Sequence, residues 1–357
     1  MDREVLIVRR ANGDGGAEKS ADRIASTLKP YFKISRIFAG LKNSDWNLKN
    51  HFGPGWVKAI RFCNELNHLI AKNKKKFVVL SLERGINADI YRAGDGIHIK
   101  YCKIKYGQLW KAFFKFANLV AIYLEKKTLK NVQFIISNSE LIKDDIVNYY
   151  PEYKSKTKVI YNGFDPKLYF TINANEIIAI KKKLRIPNKL LILFAGNAWE
   201  RKGLTECINI CSQLKNSGQE FSLLVLGKGD SQHYKTAIEK NNLLNNILFI
   251  GSVDNINQYY QISNTFILPT KYDPFSNACL EALACGCQII TTRANGAHEV
   301  ITHNKSGYIL SKPNDYDSII NYIKNPTLSR DEIAESVSHL TQEKEIQNIK
   351  QLIEQVN

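Results

Sequence analysis

The chain has 357 residues, 44% of them hydrophobic, and its 17 Tyr and 16 Phe exclude a disordered polymer. That length suits two domains with a core each. The formal net charge of +16 is uneven: residues 1–165 hold 30 Lys and Arg against 16 Asp and Glu, a net of +14, and the rest hold 20 against 18, a net of +2. General basicity is therefore excluded, and the first half is expected to meet an anion: a membrane surface, a phosphorylated substrate or nucleic acid.

In chain order, the start "MDREVLIVRR" carries acids and runs directly into a strand, so a signal peptide is not expected. No run approaches eighteen apolar residues, so no membrane-spanning helix is expected either. Apolar, β-branched runs then recur between helical stretches: "VLIVRR", "FVVLSL", "VQFIISNS", "KVIYNG", "LLILFAG", "FSLLVLG", "NILFIG", "NTFILPT" and "QIITT". Runs of this kind belong to parallel sheets buried on both faces, and the helices between them make repeated βα units. Several end in Gly, Asn or Ser, which puts turn chemistry at the strand ends where such sheets bind ligands. A helix and turn at 171–189 mark a seam. The expected architecture is α/β: two Rossmann-like, doubly wound domains facing a central cleft, at 1–168 and 169–335, with a polar helix at 336–357 free to pack back on the first domain. The seven cysteines (63, 102, 207, 211, 279, 285 and 287) are odd in number and scattered, which predicts buried reduced thiols in a cytoplasmic protein and no zinc site. The one D-x-D, Asp315-Tyr316-Asp317, follows a proline and reads as helix capping, not as a metal site.

Residues 100–127, "KYCKIKYGQLWKAFFKFANLVAIYLEKK", place Leu109, Phe113, Phe116, Val120 and Leu124 on one helical face. Lys111, Lys115, Asn118 and Lys126 lie on the opposite arc. A basic aromatic helix of this type is expected either to meet an anionic membrane surface or simply to cover its own sheet.

In the second half, "LFAGNAWERKGL" gives Gly196 and the pair Arg201-Lys202, "LLVLGKGD" gives Gly227, and "YDPFSNACLEALACG" places Asp273 and Glu281 around a helix start near Ser276. In this order the set resembles the family 4 glycosyltransferases, which have the GT-B architecture. That family carries an acidic E-x7-E pair preceded by an R-K or R-x-K phosphate clamp. Here Asp273 replaces the first Glu, which keeps the charge and shortens the reach by one methylene. In the first half, "NGDGGAEKS" places Gly15 and Gly16 ahead of a helix. "SLERGINADIYRAGDGIH" resembles the lipopolysaccharide-core glucosyltransferase branch and would put Asp95, with His98 one turn on, at the acceptor side of the reaction centre.

The resemblance implies a retaining, metal-independent transfer of a hexose, glucose from UDP-glucose, to a lipid-anchored anionic saccharide, the lipopolysaccharide inner core. No metal or other cofactor is expected. The donor would meet Gly15, Gly16, Gly196, Arg201, Lys202, Gly227, Asp273, Phe275, Ser276, Asn277 and Glu281, with Asp95, Arg201, Lys202 and Asp273 taking part in catalysis. Arg201 offers phosphate a planar fork, Lys202 a point charge, and the helix start free N–H groups and a dipole. Alone, each residue has a plainer reading: Arg201-Lys202 a solvated loop pair, Glu281 a partly buried helix acid, Asp95 a turn residue between glycines, His98 a packed helix-start histidine. A transferase for capsule or another glycolipid, a different nucleotide sugar, an epimerase, and a basic nucleic-acid-binding protein are the competing functions. No RNP, KH, zinc-finger or helix-turn-helix signature is present, so nucleic acid is not an expected partner. The expected location is the cytoplasmic face of the inner membrane.

Overall fold

The computed structural model describes residues 4–10, 16–37, 52–311 and 315–356. It divides into two compact units, Met1–Asn162 with Gln342–Asn357, and Gly163–Thr341. The division falls after Asn162, where the sequence reading put it after residue 168.

The first unit is built on strands β1 (Glu4–Val8), β2 (Ile34–Ile37), β3 (Phe77–Ser81), β4 (Ile90–Arg92), β5 (Phe134–Ser137) and β6 (Thr157–Val159). They form one sheet in the order β2-β1-β3-β4-β5-β6, and every pair is parallel. Helices α1 (Gly16–Leu28), α2 (Gly55–Lys72), α3 (His98–Tyr106), α4 (Leu109–Phe113), α5 (Phe116–Asn131) and α6 (Glu140–Tyr149) make the crossovers. All five residues of β1 and of β3 are buried, as strands covered on both faces must be.

The second unit repeats the plan with β7 (Leu190–Ala195), β8 (Phe221–Leu226), β9 (Ile247–Gly251), β10 (Thr265–Leu268), β11 (Gln288–Thr292) and β12 (Gly307–Leu310). Their order is β12-β11-β10-β7-β8-β9, again parallel throughout. Between and around them run α7 (Ala174–Lys183), α8 (Trp199–Lys202), α9 (Leu204–Asn216), α10 (Gln232–Lys240), α11 (Ile256–Ile262), α12 (Asn277–Ala284), α13 (Tyr316–Lys324) and α14 (Arg330–Glu335). Capping boxes start two of these helices: Asn173 with Glu176 on α7, and Ser329 with Glu332 on α14. Asp315 makes no side-chain cap, contrary to the capping reading; its Oδ2 accepts the Tyr308 hydroxyl at 2.7 Å instead.

The last helix, α15 (Gln342–Glu354), returns to the first unit. Its Ile346, Ile349, Leu352 and Ile353 join Val5 and Ile7 of β1 and Ile24 and Leu28 of α1 in one core. Glu345, 1% exposed, is paired with Arg92 at 2.7 Å and Arg23 at 2.9 Å. Arg92 also donates to Asn162 Oδ1 at 2.6 Å.

A single amphipathic helix over 100–127 does not form. Gly107, at φ +71, ends α3, and Lys115 is extended between α4 and α5. Asn118, expected on the solvated arc, is buried: its Nδ2 donates to Ala112 O at 2.9 Å and staples α4 onto α5. In exchange Trp110, Phe113, Phe114 and Phe116 point outward, Phe114 with 80% of its surface exposed. Glu125, the one acid between residues 98 and 131, is fully buried. No helix among the described residues is long and apolar enough to cross a membrane.

All seven cysteines are free and buried. Burial pushes the Cys287 thiol up to about 11 and Cys279 to about 12, so both stay protonated and unreactive at neutral pH.

Breaking a buried ion pair on one side leaves an uncompensated charge and costs about 3–5 kcal/mol. Glu345→Ala is therefore expected to lower the urea-unfolding stability of the first unit by that amount; a loss below about 1 kcal/mol would show that α15 is not anchored through this pair.

Candidate functional site

In the second sheet β7 is flanked by β8 on one side and β10 on the other, so the strand order reverses between β7 and β10. Crossovers leave the carboxyl ends of these two strands in opposite directions, which opens a crevice there. Gly196 follows β7 and donates its N–H to Leu226 O at 3.1 Å. Gly227, at φ +106, lies against it so closely that a Cβ would stand 2.3 Å from Gly196 O. Short helix α8 follows, and Gly203 ends it at φ +86, where a Cβ would stand 2.1 Å from Pro269 O. Only glycine lets the end of α8 sit against the loop after β10.

That contact brings 201–202 to 270–273. The Arg201 carbonyl accepts from Lys271 N at 2.9 Å and Thr270 Oγ1 at 3.1 Å, and Arg201 Nη1 donates to Tyr272 O at 2.6 Å. Lys202 Nζ is ion-paired with Asp273 Oδ2, the two residues being 71 apart in sequence. Read separately in the sequence as phosphate clamp and sugar contact, Lys202 and Asp273 are one pair in the structure.

Asp273 is itself fixed by its backbone, with its N–H on Ala294 O and its carbonyl accepting from Gly296 N, each at 2.9 Å. Asn295, between those partners and fully buried, accepts from Ser276 N and Ala297 N through Oδ1, each at 3.1 Å, and donates to Thr291 Oγ1 at 3.0 Å. In the sequence Asn295 opens "NGAHEVITHNKSGYIL", a stretch that belongs to the family resemblance but gives this residue no role. Its own signal is an Asn-Gly step just after a buried strand, which is turn chemistry of a common kind.

Helix α12 starts after Ser276, as expected, and the Ser276 side chain makes no cap bond. Phe275 is buried, and Asn277 is the first helical residue. The N-terminus of α12, with its partial positive charge, thus lies beside the Asp273 loop. Glu281, half-buried, bonds the Tyr169 hydroxyl. Burial and then the Glu281 charge hold Tyr169 well above the usual phenol range, and fully buried Tyr260 is raised by the same two causes.

Gly196, Arg201, Lys202, Gly227, Asp273, Phe275, Ser276 and Asn277 therefore gather around one switch point, with Glu281 on the second turn of α12. Asp95 and His98 lie in the first unit. Asp95 sits in the turn after β4, and its Oδ2 accepts from Arg9 Nη1 at 2.7 Å. His98 opens α3; its N–H donates to Glu125 Oε2 at 2.6 Å and its ring Nε2 lies 3.2 Å from Asn118 Oδ1. Burial and the Arg84 guanidinium hold its imidazole below the ordinary range. Glu125 also takes Arg84 Nε at 3.0 Å and the Tyr150 hydroxyl at 3.2 Å. Gly16 is the first residue of α1, and Gly15 lies outside the described residues. Among the described residues no three His, Cys, Asp or Glu side chains converge on a common point.

Two doubly wound units of six parallel strands define the GT-B class of fold. The same architecture is seen in the crystal structure of WaaG, a glycosyltransferase involved in lipopolysaccharide biosynthesis, with a TM-score of 0.77, 16% identity and 98% coverage of each chain. Within that fold, residues 176–345 match the family model described as Glycosyl transferases group 1. Among curated proteins, the chain is 27% identical over 191 residues to the uncharacterized glycosyltransferase MJ1607 of Methanocaldococcus jannaschii, covering 52% of this chain and 48% of that one. It is 24% identical over 232 residues to the capsular polysaccharide biosynthesis glycosyltransferase CapM of Staphylococcus aureus, covering 63% and 60%. The chain spans about half the length of the first of the curated relatives it matches. Together these likenesses support a transferase enzyme.

Gly203→Ala drives a methyl into the Pro269 carbonyl and separates Lys202 from Asp273. Thermal unfolding is expected to show a loss of about 1–3 kcal/mol; wild-type stability would mean that the two segments are not held by this contact.

Proposed function

We propose that the protein is a retaining, metal-independent hexosyltransferase that moves glucose from UDP-glucose to lipopolysaccharide inner core at an anionic membrane surface. The observation that carries the transferase reading is the switch-point cluster, in which two cations, a buried carboxylate and a helix N-terminus meet inside the group 1 segment.

The chemistry follows from those residues. A departing diphosphate needs positive charge fixed before the bond breaks, and Arg201, Lys202 and the N–H groups of α12 supply it. Lys202 is shared: its ammonium has three donors, so it can hold Asp273 and still reach a phosphate oxygen. Asp273, pinned through its backbone, is assigned a hydroxyl of the donor sugar, and Glu281, oriented by Tyr169, a ribose hydroxyl. Gly196 and Gly227 let the backbone approach the donor. Asp95 takes the acceptor side. The bond from the acceptor oxygen to the anomeric carbon forms on the face from which the phosphate leaves. The acceptor proton passes to the leaving phosphate oxygen, and UDP is the second product.

The membrane part is supported by the face around α4. Trp110, Phe113, Phe114 and Phe116 are exposed beside Lys103, Lys105, Lys111 and Lys115, and the only acid between residues 98 and 131, Glu125, is buried. Lys100 is spent on Asp145 at 2.9 Å. Each lysine near an anionic leaflet contributes about 1 kcal/mol, and the aromatic rings add interfacial apolar area. This face supports the reading that the enzyme works at an anionic membrane surface, which in this proposal is the cytoplasmic side of the inner membrane. The likeness to a capsule transferase makes a capsule or other glycolipid acceptor the second reading.

Three measurements test these points. UDP-glucose at a hundred times its dissociation constant should stabilise the protein by about 2.7 kcal/mol, and Lys202→Ala or Glu281→Ala should abolish the shift. Stabilisation by another nucleotide sugar but not by UDP-glucose would change the donor. Transfer to inner-core lipopolysaccharide should persist in EDTA, while activity lost in EDTA and restored by Mg²⁺ or Mn²⁺ would overturn metal independence. The wild type should float with phosphatidylglycerol vesicles at low salt and the double variant Trp110→Ser/Phe114→Ser should not; failure of the wild type to float would remove the membrane part.

A further inference from the structure

We infer that Arg9 is a positioning residue for this transfer: its guanidinium fixes the direction of the Asp95 carboxylate on the turn after β4. The inference rests on the reading that Asp95 stands at the reaction centre.

Arg9 directly follows β1, and in the first sheet the strand order reverses between β1 and β3. Its backbone N–H is on Ile37 O at 3.1 Å. Its Nη1 donates both to Leu82 O at 3.0 Å, just past β3, and to Asp95 Oδ2 at 2.7 Å. One guanidinium thus joins the ends of β1 and β3 to the turn after β4.

The backbone of that turn is fixed independently. Ala93 N donates to Ile136 O at 2.8 Å, Asn138 Nδ2 to Gly94 O at 3.1 Å, and Arg84 Nη2 to Gly96 O at 2.9 Å. With the backbone held, the remaining freedom is the Asp95 side chain, and Arg9 removes it. The side chain keeps 40% of its surface exposed, so the carboxylate is both oriented and reachable.

The charged and titratable neighbours are Glu83 and Arg84 after β3, Tyr91 on β4, His98 on α3 and Glu125 on α5. Glu83 faces Arg10 at 3.8 Å and Glu125 faces Arg84 at 3.0 Å; the Arg84 charge also acts on Asp95, and Arg9 is the cation hydrogen-bonded to it, at 2.7 Å. A guanidinium at 2.7 Å makes a short charge-assisted hydrogen bond that fixes the carboxylate's direction. In this reading the acceptor proton leaves by the phosphate oxygen. The anomeric C–O bond to the acceptor forms, the one to phosphate breaks, and Asp95 ends as it began.

The test compares Arg9→Gln, Arg9→Lys, Asp95→Asn and Arg9→Gln/Asp95→Asn in transfer from UDP-glucose to inner-core lipopolysaccharide, with kcat and donor KM measured separately. Loss of orientation at a reacting centre costs on the order of 100-fold. Arg9→Gln is expected to lower kcat by about 10- to 100-fold with donor KM unchanged. Arg9→Lys, which keeps the charge, should recover most of the rate. The double variant should be no slower than Asp95→Asn. Should Arg9→Gln unfold, Arg9→Lys still decides: a rate as low as that of Asp95→Asn in a folded protein would show that charge is not what Arg9 supplies. An Arg9→Gln enzyme with wild-type kcat, beside a crippled Asp95→Asn, overturns the positioning role and leaves the transferase reading intact. A fully active Asp95→Asn overturns the placement of Asp95 and this inference with it.

Discussion

The second unit depends on one ion pair, Lys202 with Asp273, that joins two loops the sheet alone would leave separate. Parallel strands bring the carboxyl ends of β7 and β10 side by side, but the crossovers there run in opposite directions. The close approach of Gly203 to Pro269 sets the distance, and the Arg201 carbonyl and guanidinium lace the loops in both directions. The pair then settles where the two opposite charges sit. Its aspartate is also the point where the strand-like backbone beside Asn295 attaches, so the segments after β7, β10 and β11 are fixed together. A lysine held this way loses less freedom when a phosphate arrives than a solvated one would.

The first unit uses buried charge in the same manner. Glu125 and Glu345 have almost no exposed surface, and each is surrounded by donors: Arg84, the His98 N–H and Tyr150 for one, Arg92 and Arg23 for the other. Replacing such clusters with apolar side chains is often neutral or favourable for stability alone. Their value here is directional. Arg84 reaches from Glu125 to the Gly96 carbonyl, and Arg92 from Glu345 to the start of the same turn, so both clusters end at the segment that carries Asp95.

Much of this architecture is written in the sequence, and the omissions have physical causes. Nine strands show as apolar runs; in seven of them both faces are covered, and the edge strands β6 and β9 keep apolar residues on a partly exposed face. Strands β2, β4 and β12 do not, because three or four residues such as "ISRI" are too short to carry a period. The order Arg201-Lys202, Asp273, Glu281 was legible as a motif, while the pairing of Lys202 with Asp273 was not, since spacing along the chain says nothing about which charges meet. The helix wheel over 100–127 failed at Gly107 and at Asn118, where a side-chain amide bonding a broken turn outweighed the apolar stripe. Glu125, Glu345 and Arg9 were invisible for a common reason. A charged residue in a polar helix or at a strand end reads as solvated until its distant partner is known.

The return of α15 to the first unit also sets an order on synthesis. Residues 163–341 form a continuous stretch that can complete its own sheet as soon as it leaves the ribosome. The first-made sheet cannot do so, because Ile346, Ile349, Leu352 and Ile353 are the last pieces of its core. At about 5–20 residues per second, α1 and β1 wait on the order of ten seconds or longer for the helix that covers them. Of the two units, the one whose synthesis starts first is the one completed second.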